Sequence, residues 1–139
     1  MNNLTRDNEK LALLRDVQLL SSASNNSLQL LASAAQEVCL NQGQTLLRGG
    51  VMETHCFVLI EGTVRLLGTD PISNDLFTVG RSNPKELIGV VDLLRQGPCE
   101  AAIARQPCKL LSIPINLLVE LIQKDAGLRS GLEAVQSPC

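Results

Sequence analysis

The feature that most restricts the fold of this chain is a series of short apolar segments, separated by glycines, that begins after Cys39. Up to residue 80 these segments are Thr45–Leu47, Cys56–Ile60, Thr63–Leu67 and Leu76–Val79. The glycines and turn-forming residues between them leave no room for a helix. Closely spaced strands of this kind are typical of an antiparallel barrel or jelly roll. Ala101–Ala104 and Leu110–Ile113 predict the last strands of the same roll.

Apolar residues at helical spacing flank this β region on both sides. The N-terminal side has Leu28, Leu31, Ala35 and Val38 at spacings of 3, 4 and 3, which predicts helices over about residues 8–38. Ser24 or Asn26 is the expected N-cap of the second of these helices, because a short side-chain oxygen can accept from a free amide of the first turn.

On the C-terminal side, Pro114 suits the first turn of a helix and another helix is expected to start near Asp125. These two helices together are predicted over about residues 115–136. The predicted fold class is therefore α+β: one domain over residues 1–139, with an antiparallel β-roll or jelly roll (a double-stranded β-helix) over about 39–113. Helices flank the roll at both ends.

The last predicted helix carries an apolar stripe formed by Leu128, Leu132 and Val135. Little of the sequence remains beyond this stripe to cover it, and an uncovered apolar stripe is typical of a dimer face or of a connection to a further domain. We therefore expect a homodimer through this helix, or a chain that is a fragment of a longer polypeptide.

Composition and cysteine usage exclude several classes of partner. With 19% charged residues, a net charge of -2 and 1% aromatic residues, the chain lacks both the positive charge and the stacking side chains that nucleic-acid binding needs. No segment reaches the roughly 18 uninterrupted apolar residues of a membrane span, and the N-terminal residues lack the basic-then-apolar order of a secretory signal. Widely spaced cysteines without a CxxC pair indicate reduced thiols in a cytoplasmic protein, with Cys39 and Cys56 expected in the core.

The sequence carries no recognisable catalytic or metal-binding constellation. His55 is the one histidine, which excludes a multi-histidine metal site, and we expect it at the start of a strand. Neither a GxSxG nucleophile elbow nor a Gly-rich GK[ST] phosphate loop occurs. We therefore predict a non-enzymatic domain with no catalytic residue, no metal and no certain cofactor.

The order of helices, glycine-punctuated roll and C-terminal helix resembles that of cyclic-nucleotide-binding domains, including the bacterial catabolite-activator-like ones. The segments that carry this resemblance are Leu19–Leu28, Asn41–Gly50, Phe57–Val64, Glu86–Gly89 and Cys108–Pro114. Together they extend over nearly the whole chain. The resemblance implies a regulatory domain that binds its ligand at a phosphate-binding cassette starting at Gly89.

Two positions of the cassette depart from the family pattern. The family contacts the ribose hydroxyl with a glutamate and the phosphate with an arginine, whereas this sequence has Val90 in the glutamate position. The arginine position holds Glu100 when counted from Gly89, or Pro98 when counted back from Cys108. Neither residue can pair with a phosphate. Cyclic AMP and cyclic GMP therefore remain candidate ligands that Val90 and Glu100 disfavour.

The resemblance places the degenerate cassette at a defined set of residues. These are Gly89, Val90, Val91, Asp92, Cys99, Glu100, Ala101 and Ala102. Three side chains nearby are candidates to replace the lost contacts: Asp92 for the ribose hydroxyl, and Arg95 or Arg105 for the phosphate. The backbone amides after Gly89 remain available for a small anion.

The predicted function is regulation without catalysis, by a domain of a larger protein that has lost or altered its cyclic nucleotide binding. It would act as a small-molecule sensor or as an interaction module. Two alternatives stay open. One is the effector domain of a catabolite-activator-type transcription regulator without its helix-turn-helix, and the other is the N-terminal regulatory domain of a bacterial peptidase-containing ABC export transporter.

Overall fold

The computed structural model describes residues 2–47, 54–89 and 101–133. The helical elements are α1 (Asn2–Arg15), a 3-10 turn (Gln18–Leu20), α2 (Asn25–Ala34), α3 (Ile115–Lys124) and α4 (Ala126–Glu133). The strands are β1 (Gln36–Leu40), β2 (Thr45–Leu47), β3 (His55–Glu61), β4 (Val64–Thr69), β5 (Leu76–Ser82), β6 (Leu87–Ile88), β7 (Ala101–Ala104) and β8 (Cys108–Pro114).

Within the described residues the strands form two 4-stranded sheets, and all their pairings are antiparallel. The order in the first sheet is β1-β8-β3-β6, and the order in the second is β2-β7-β4-β5. Apart from the paired β4 and β5, strands that follow one another in sequence lie in different sheets, so the chain winds between the two layers as in a jelly roll. The predicted α+β fold with an antiparallel roll and flanking helices is confirmed.

The space between the sheets is filled by an aliphatic cluster. Its buried members are Leu47, Phe57, Leu59, Val64, Leu66, Ile88, Ala102, Ala104, Cys108 and Leu110. Alternation along β3 and β8 sends Phe57, Leu59 and Leu110 into this cluster, and their sequence neighbours to the opposite face of the sheet. The roll therefore has an interior of its own, separate from the helices.

A second apolar cluster joins the helices to the outer face of the first sheet. The sheet contributes Cys56, Val58, Leu87, Leu111 and Ile113, and the helical segments contribute Leu14, Val17, Leu20, Leu28, Leu31, Ala32, Ala35, Leu118, Leu121, Leu128 and Leu132. Both N-terminal and C-terminal helices pack into this one cluster. They consequently form a single layer beside the roll.

The predicted N-terminal helical range of about 8–38 is wrong at its end. Helix α2 stops at Ala34 because Ala35 adopts an extended conformation, with φ -71 and ψ 139. The next residues, Gln36–Leu40, form strand β1 along the edge of β8, with Val38 opposite Leu110. Pairing with β8 gives this segment the backbone hydrogen bonds that a longer helix would have provided.

The prediction that Cys39 lies in the core is also wrong. Cys39 is exposed. It lies opposite Lys109, so the alternation along β1 directs it to the outer face of the first sheet and away from the interior of the roll. Other local predictions are confirmed. Ser24 is the N-cap of α2, with its side chain accepting from the Ser27 amide, Pro114 precedes α3, and the exposed His55 begins β3.

The C-terminal apolar stripe is covered within the chain, contrary to prediction. Leu128 and Leu132 both have 0% exposed surface, because α4 packs against the 3-10 turn and the N-terminal helices complete its cover. Val135, the third residue of the stripe, lies outside the described residues. Leu128 and Leu132 are therefore unavailable as the proposed homodimer face.

Cysteine reactivity gives a direct check on this arrangement. Burial raises the pKa of the Cys56 thiol to about 12, and a backbone hydrogen bond offsets only part of that rise. Since the thiolate is the nucleophile, Cys56 should resist iodoacetamide at pH 8 while the exposed Cys39 reacts. Peptide-resolved mass spectrometry under native conditions checks this, with urea-unfolded chain as the control in which both are labelled. Equal native labelling of the two thiols would contradict the fold.

Candidate functional site

Gly89 marks the point where the predicted cassette leaves the roll. It follows β6, whose Ile88 pairs with Phe57 of β3. Its φ of +94 lies in a region that residues with a side chain seldom adopt. An added Cβ would lie 3.5 Å from the Cys56 Cα, an ordinary contact. Backbone conformation, and not space, is therefore what favours glycine here.

Ala101 and Ala102 bring the chain back into the second sheet at the start of β7. Ala102 pairs with Leu66 of β4 and with Leu47 of β2, and its exposed surface is 0%. Ile88 and Ala102 belong to the same interior cluster. The residue before Gly89 and the last residue of the predicted cassette thus border the same interior of the roll.

The other predicted cassette residues lie outside the described part of the chain. They are Val90, Val91, Asp92, Arg95, Cys99 and Glu100. Their assignment to the cassette remains a prediction from the sequence.

Arg105 lies far from Gly89. It is exposed in the turn after β7, where its amide donates a hydrogen bond of 2.9 Å to the Thr63 carbonyl, just beyond the end of β3. Gly89 lies beside Cys56, at the beginning of the same strand. At roughly 3.3 Å per residue, the seven residues of β3 span about 20 Å. The structure does not bring Arg105 to Gly89.

The electrostatic character of the roll interior is neutral. Among the described residues the buried polar side chains are those of Ser27 and Ser82, and no Asp, Glu, Lys or Arg is buried. The same residues contain no cluster of His, Cys, Asp and Glu suited to a metal ion. None of the described helices combines the length and apolar character that crossing a membrane requires. The described residues therefore place no buried charge at the ends of the cassette.

A further concavity lies on the other side of the first sheet, between α1 and the strands β1 and β8. Its volume is about 320 Å³, and its lining includes Lys10, Leu13, Ile60 and Lys109. Lys10 donates a 2.6 Å hydrogen bond to the Ala35 carbonyl, and Lys109 pairs with Glu37 at 2.8 Å. Both cations are thus already engaged within the chain.

The turn between β3 and β4 shows how closely the roll is packed at the end of β3 that is remote from Gly89. Gly62 has a φ of +96, and a Cβ there would lie 2.6 Å from the Pro107 carbonyl oxygen and 2.7 Å from the Cys108 Sγ. Only glycine allows the β7–β8 turn to lie this close. This turn belongs to the stretch 37–125, which matches the sequence profile of the cyclic nucleotide-binding domain.

The chain belongs to the cyclic nucleotide-binding domain family. The profile match includes the whole cassette and extends from β1 to the residue before α4. It confirms the family that the sequence motifs resemble. A comparison with curated protein sequences found no match.

Solved structures share the fold of this cyclic nucleotide-binding domain at low sequence identity. The regulatory domain of Toxoplasma gondii protein kinase A with cAMP has a TM-score of 0.79 and 17% identity, over 86% of this chain and 46% of that chain. The regulatory subunit of a cAMP-independent protein kinase A from Trypanosoma cruzi, bound to guanosine, has a TM-score of 0.83 and 16% identity, over 94% and 46%.

The domain also matches a sensor domain nearly end to end. The sensor domain of the transcriptional regulator DNR from Pseudomonas aeruginosa has a TM-score of 0.79 and 21% identity, over 92% of this chain and 86% of that chain. By contrast, the chain spans about half the length of the kinase regulatory structures that it matches. At these identities the comparisons establish the fold, while the ligand depends on the residues of the cassette.

Proposed function

We propose that this cyclic nucleotide-binding domain is a non-enzymatic regulatory module that has lost ordinary cyclic nucleotide binding. It acts in the cytoplasm through contacts with a partner or with the rest of a longer polypeptide. The observation that carries this proposal is the pair Val90 and Glu100, which occupy the positions of the family's glutamate and arginine. Pro98 takes the arginine position in the alternative alignment.

The energetic argument follows from the chemistry of these positions. Valine accepts no hydrogen bond from a ribose hydroxyl, and neither glutamate nor proline pairs with a phosphate. A charge-assisted hydrogen bond contributes roughly 1.5–3 kcal/mol. Losing two of them weakens binding by roughly a hundredfold to ten-thousandfold, at about 1.4 kcal/mol per decade. A glutamate that faces the pocket adds repulsion toward the phosphate.

The surroundings of the cassette support this proposal. Ile88, just before the cassette, and Ala102, at its end, border an apolar interior, with no charge buried among the described residues. Arg105, the described candidate for a replacement cation, lies about 20 Å along β3 from Gly89. Of the two replacement cations predicted from the sequence, Arg95 is therefore favoured over Arg105.

The relatives illustrate that the fold does not fix the ligand. The structure from Trypanosoma cruzi is described as a cAMP-independent kinase subunit and holds guanosine, whereas that from Toxoplasma gondii holds cAMP. The near end-to-end match to the DNR sensor domain favours one second candidate, the sensor domain of a transcription regulator. That candidate requires a ligand, and the interaction module does not.

A titration of the full 139-residue chain separates the two candidates. Cyclic AMP, cyclic GMP and guanosine are each added up to millimolar concentration while calorimetry and thermal unfolding are recorded. We expect no saturable heat and no change in Tm. A ligand at a hundred times its Kd would add about 2.7 kcal/mol of stability, so a saturable shift with any of the three would overturn the proposed loss of binding. Asp92→Ala and Arg95→Ala would then show which side chain replaced the lost contacts.

A further inference from the structure

Asp125 lies between α3 and α4 and accepts hydrogen bonds from two distant parts of the chain. Its Oδ2 accepts from the Ser24 amide at 2.8 Å and from the Ser27 hydroxyl at 2.7 Å. Its Oδ1 accepts from the Leu128 amide at 3.1 Å. Hydrogen bonds from Ser24, Ser27 and Leu128 hold the pKa of this carboxyl well below its usual range. One carboxylate thus contacts the first turns of both α2 and α4.

Two glycines of α4 extend this contact along the helix. Gly127 and Gly131 are four residues apart and share a face. A Cβ on Gly127 would overlap the Ser22 carbonyl oxygen, and a Cβ on Gly131 would overlap the Leu19 carbonyl oxygen. The backbone of α4 therefore lies directly against the backbone in and just after the 3-10 turn, with no side chain between them.

Apolar burial and hydrogen bonds to the end of α3 also hold α4 in place. Leu128 and Leu132 are fully buried in the cluster that also contains Leu14 and Leu20. Arg129 donates to the Ile122 carbonyl at 3.1 and 3.0 Å and to the Gln123 carbonyl at 3.2 Å. These bonds satisfy carbonyls at the end of α3 and tie α4 to it.

We propose that Ser24, Ser27, Asp125, Gly127 and Gly131 form a clasp that makes the N-terminal helices and α4 one mechanical unit. A change that moves α4 must carry the 3-10 turn and the first turn of α2 with it. Any regulatory movement in this domain then involves both helical ends of the chain together. This inference goes beyond the proposed function, because it holds with or without a ligand at the cassette.

The test uses Asp125→Asn in the full chain, followed by hydrogen exchange and mass spectrometry. The side chain of an asparagine has one acceptor oxygen. It can accept hydrogen bonds either from Leu128 or from Ser24 and Ser27, but not from both groups at full strength. We expect exchange in residues 18–28 and in residues 126–133 to become about tenfold faster, by the same factor in both.

Asp70→Asn is the matched control. Asp70 is also an aspartate that accepts from two backbone amides, those of Ile72 at 2.8 Å and Ser73 at 3.1 Å, but it lies in the β4–β5 turn. This variant should leave exchange in both helical segments unchanged. A rise in both segments with Asp70→Asn would show a global loss of stability and would contradict the clasp.

A second variant removes a hydrogen-bond donor to Asp125 instead of changing Asp125 itself. Ser27→Ala removes the hydroxyl that donates to Asp125 and leaves the glycine contacts intact. We expect a smaller increase in exchange, again in both segments. Faster exchange in residues 126–133 alone, or no change in either segment with Asp125→Asn, would overturn the proposal.

Discussion

Leu128→Glu is expected to lower the free energy of unfolding by at least about 4 kcal/mol. Leu128 has 0% exposed surface and lies among apolar side chains of the helical layer. Burying a leucine contributes about 1.5–3 kcal/mol, and an unpaired carboxylate at the same place adds a desolvation cost of several kcal/mol. Because domains of this size are stable by only about 5–15 kcal/mol, the helical layer should separate from the roll or the whole chain should unfold.

Urea unfolding followed by circular dichroism measures this effect. Ser130→Glu is the matched control, since it adds the same charge to an exposed position of α4, two residues away. It should change the free energy of unfolding by less than about 0.5 kcal/mol. An unchanged urea midpoint for Leu128→Glu, together with a dimer-to-monomer change in light scattering, would instead support the dimer face predicted from the sequence.

Restoring the two family residues is expected to restore cyclic nucleotide binding. Val90→Glu combined with Glu100→Arg returns the ribose acceptor and the phosphate cation to the positions at which the family has them. At roughly 1.5–3 kcal/mol for each charge-assisted contact, affinity should rise by about a hundredfold to ten-thousandfold over the original chain. Calorimetric titration with cyclic AMP and cyclic GMP measures the change.

The matched control shifts the glutamate by one position. Val91→Glu with Glu100→Arg has the same net charge as the restored variant, so a gain confined to the Val90 version identifies a specific contact. Replacing Glu100→Arg by Pro98→Arg distinguishes the two possible alignments of the arginine position. If neither restored variant binds better than the register-shifted control, the loss of binding has another cause than Val90 and Glu100.

The roll could be predicted from sequence because its information is local. Alternating apolar residues and interrupting glycines define each strand within a few positions, and Gly62 and Gly89 stand at turns where a positive φ is needed. Strand β1 could not be predicted in the same way. Val38 has helical spacing from Ala35, and the partner that makes it a strand, Leu110, lies about seventy residues further along the chain.

The element that packs on the C-terminal stripe could not be predicted, for the same reason. The spacing of Leu128 and Leu132 correctly predicted an apolar helix face, but a periodicity does not state which element packs on it. The element is the 3-10 turn around Leu19 and its neighbouring helices, more than a hundred residues earlier. The role of Asp125 was missed too. The sequence predicts that a helix starts near Asp125, but nothing local indicates Ser24 or Ser27 as partners of its side chain.

The candidate site likewise has features that could be predicted from local sequence and features that could not. Family motifs identify Val90 and Glu100 as departures, because that comparison needs only the order of residues. The distance of Arg105 from Gly89 depends on how β3 crosses the roll, which no local pattern contains. The shared interior position of Ile88 and Ala102 likewise became visible only in three dimensions.

The contact between α4 and the 3-10 turn sets an order for folding during synthesis. Leu14, Leu20 and Leu31 leave the ribosome early, yet part of their cover is Leu128 and Leu132, which emerge more than a hundred residues later. At about 5–20 residues per second, this apolar surface stays incompletely covered for roughly 5–20 seconds. The roll, whose strands are complete at Pro114, can close within that interval. The helical layer is then the last part to assemble, and the early helices are the part of the nascent chain with most need of a chaperone.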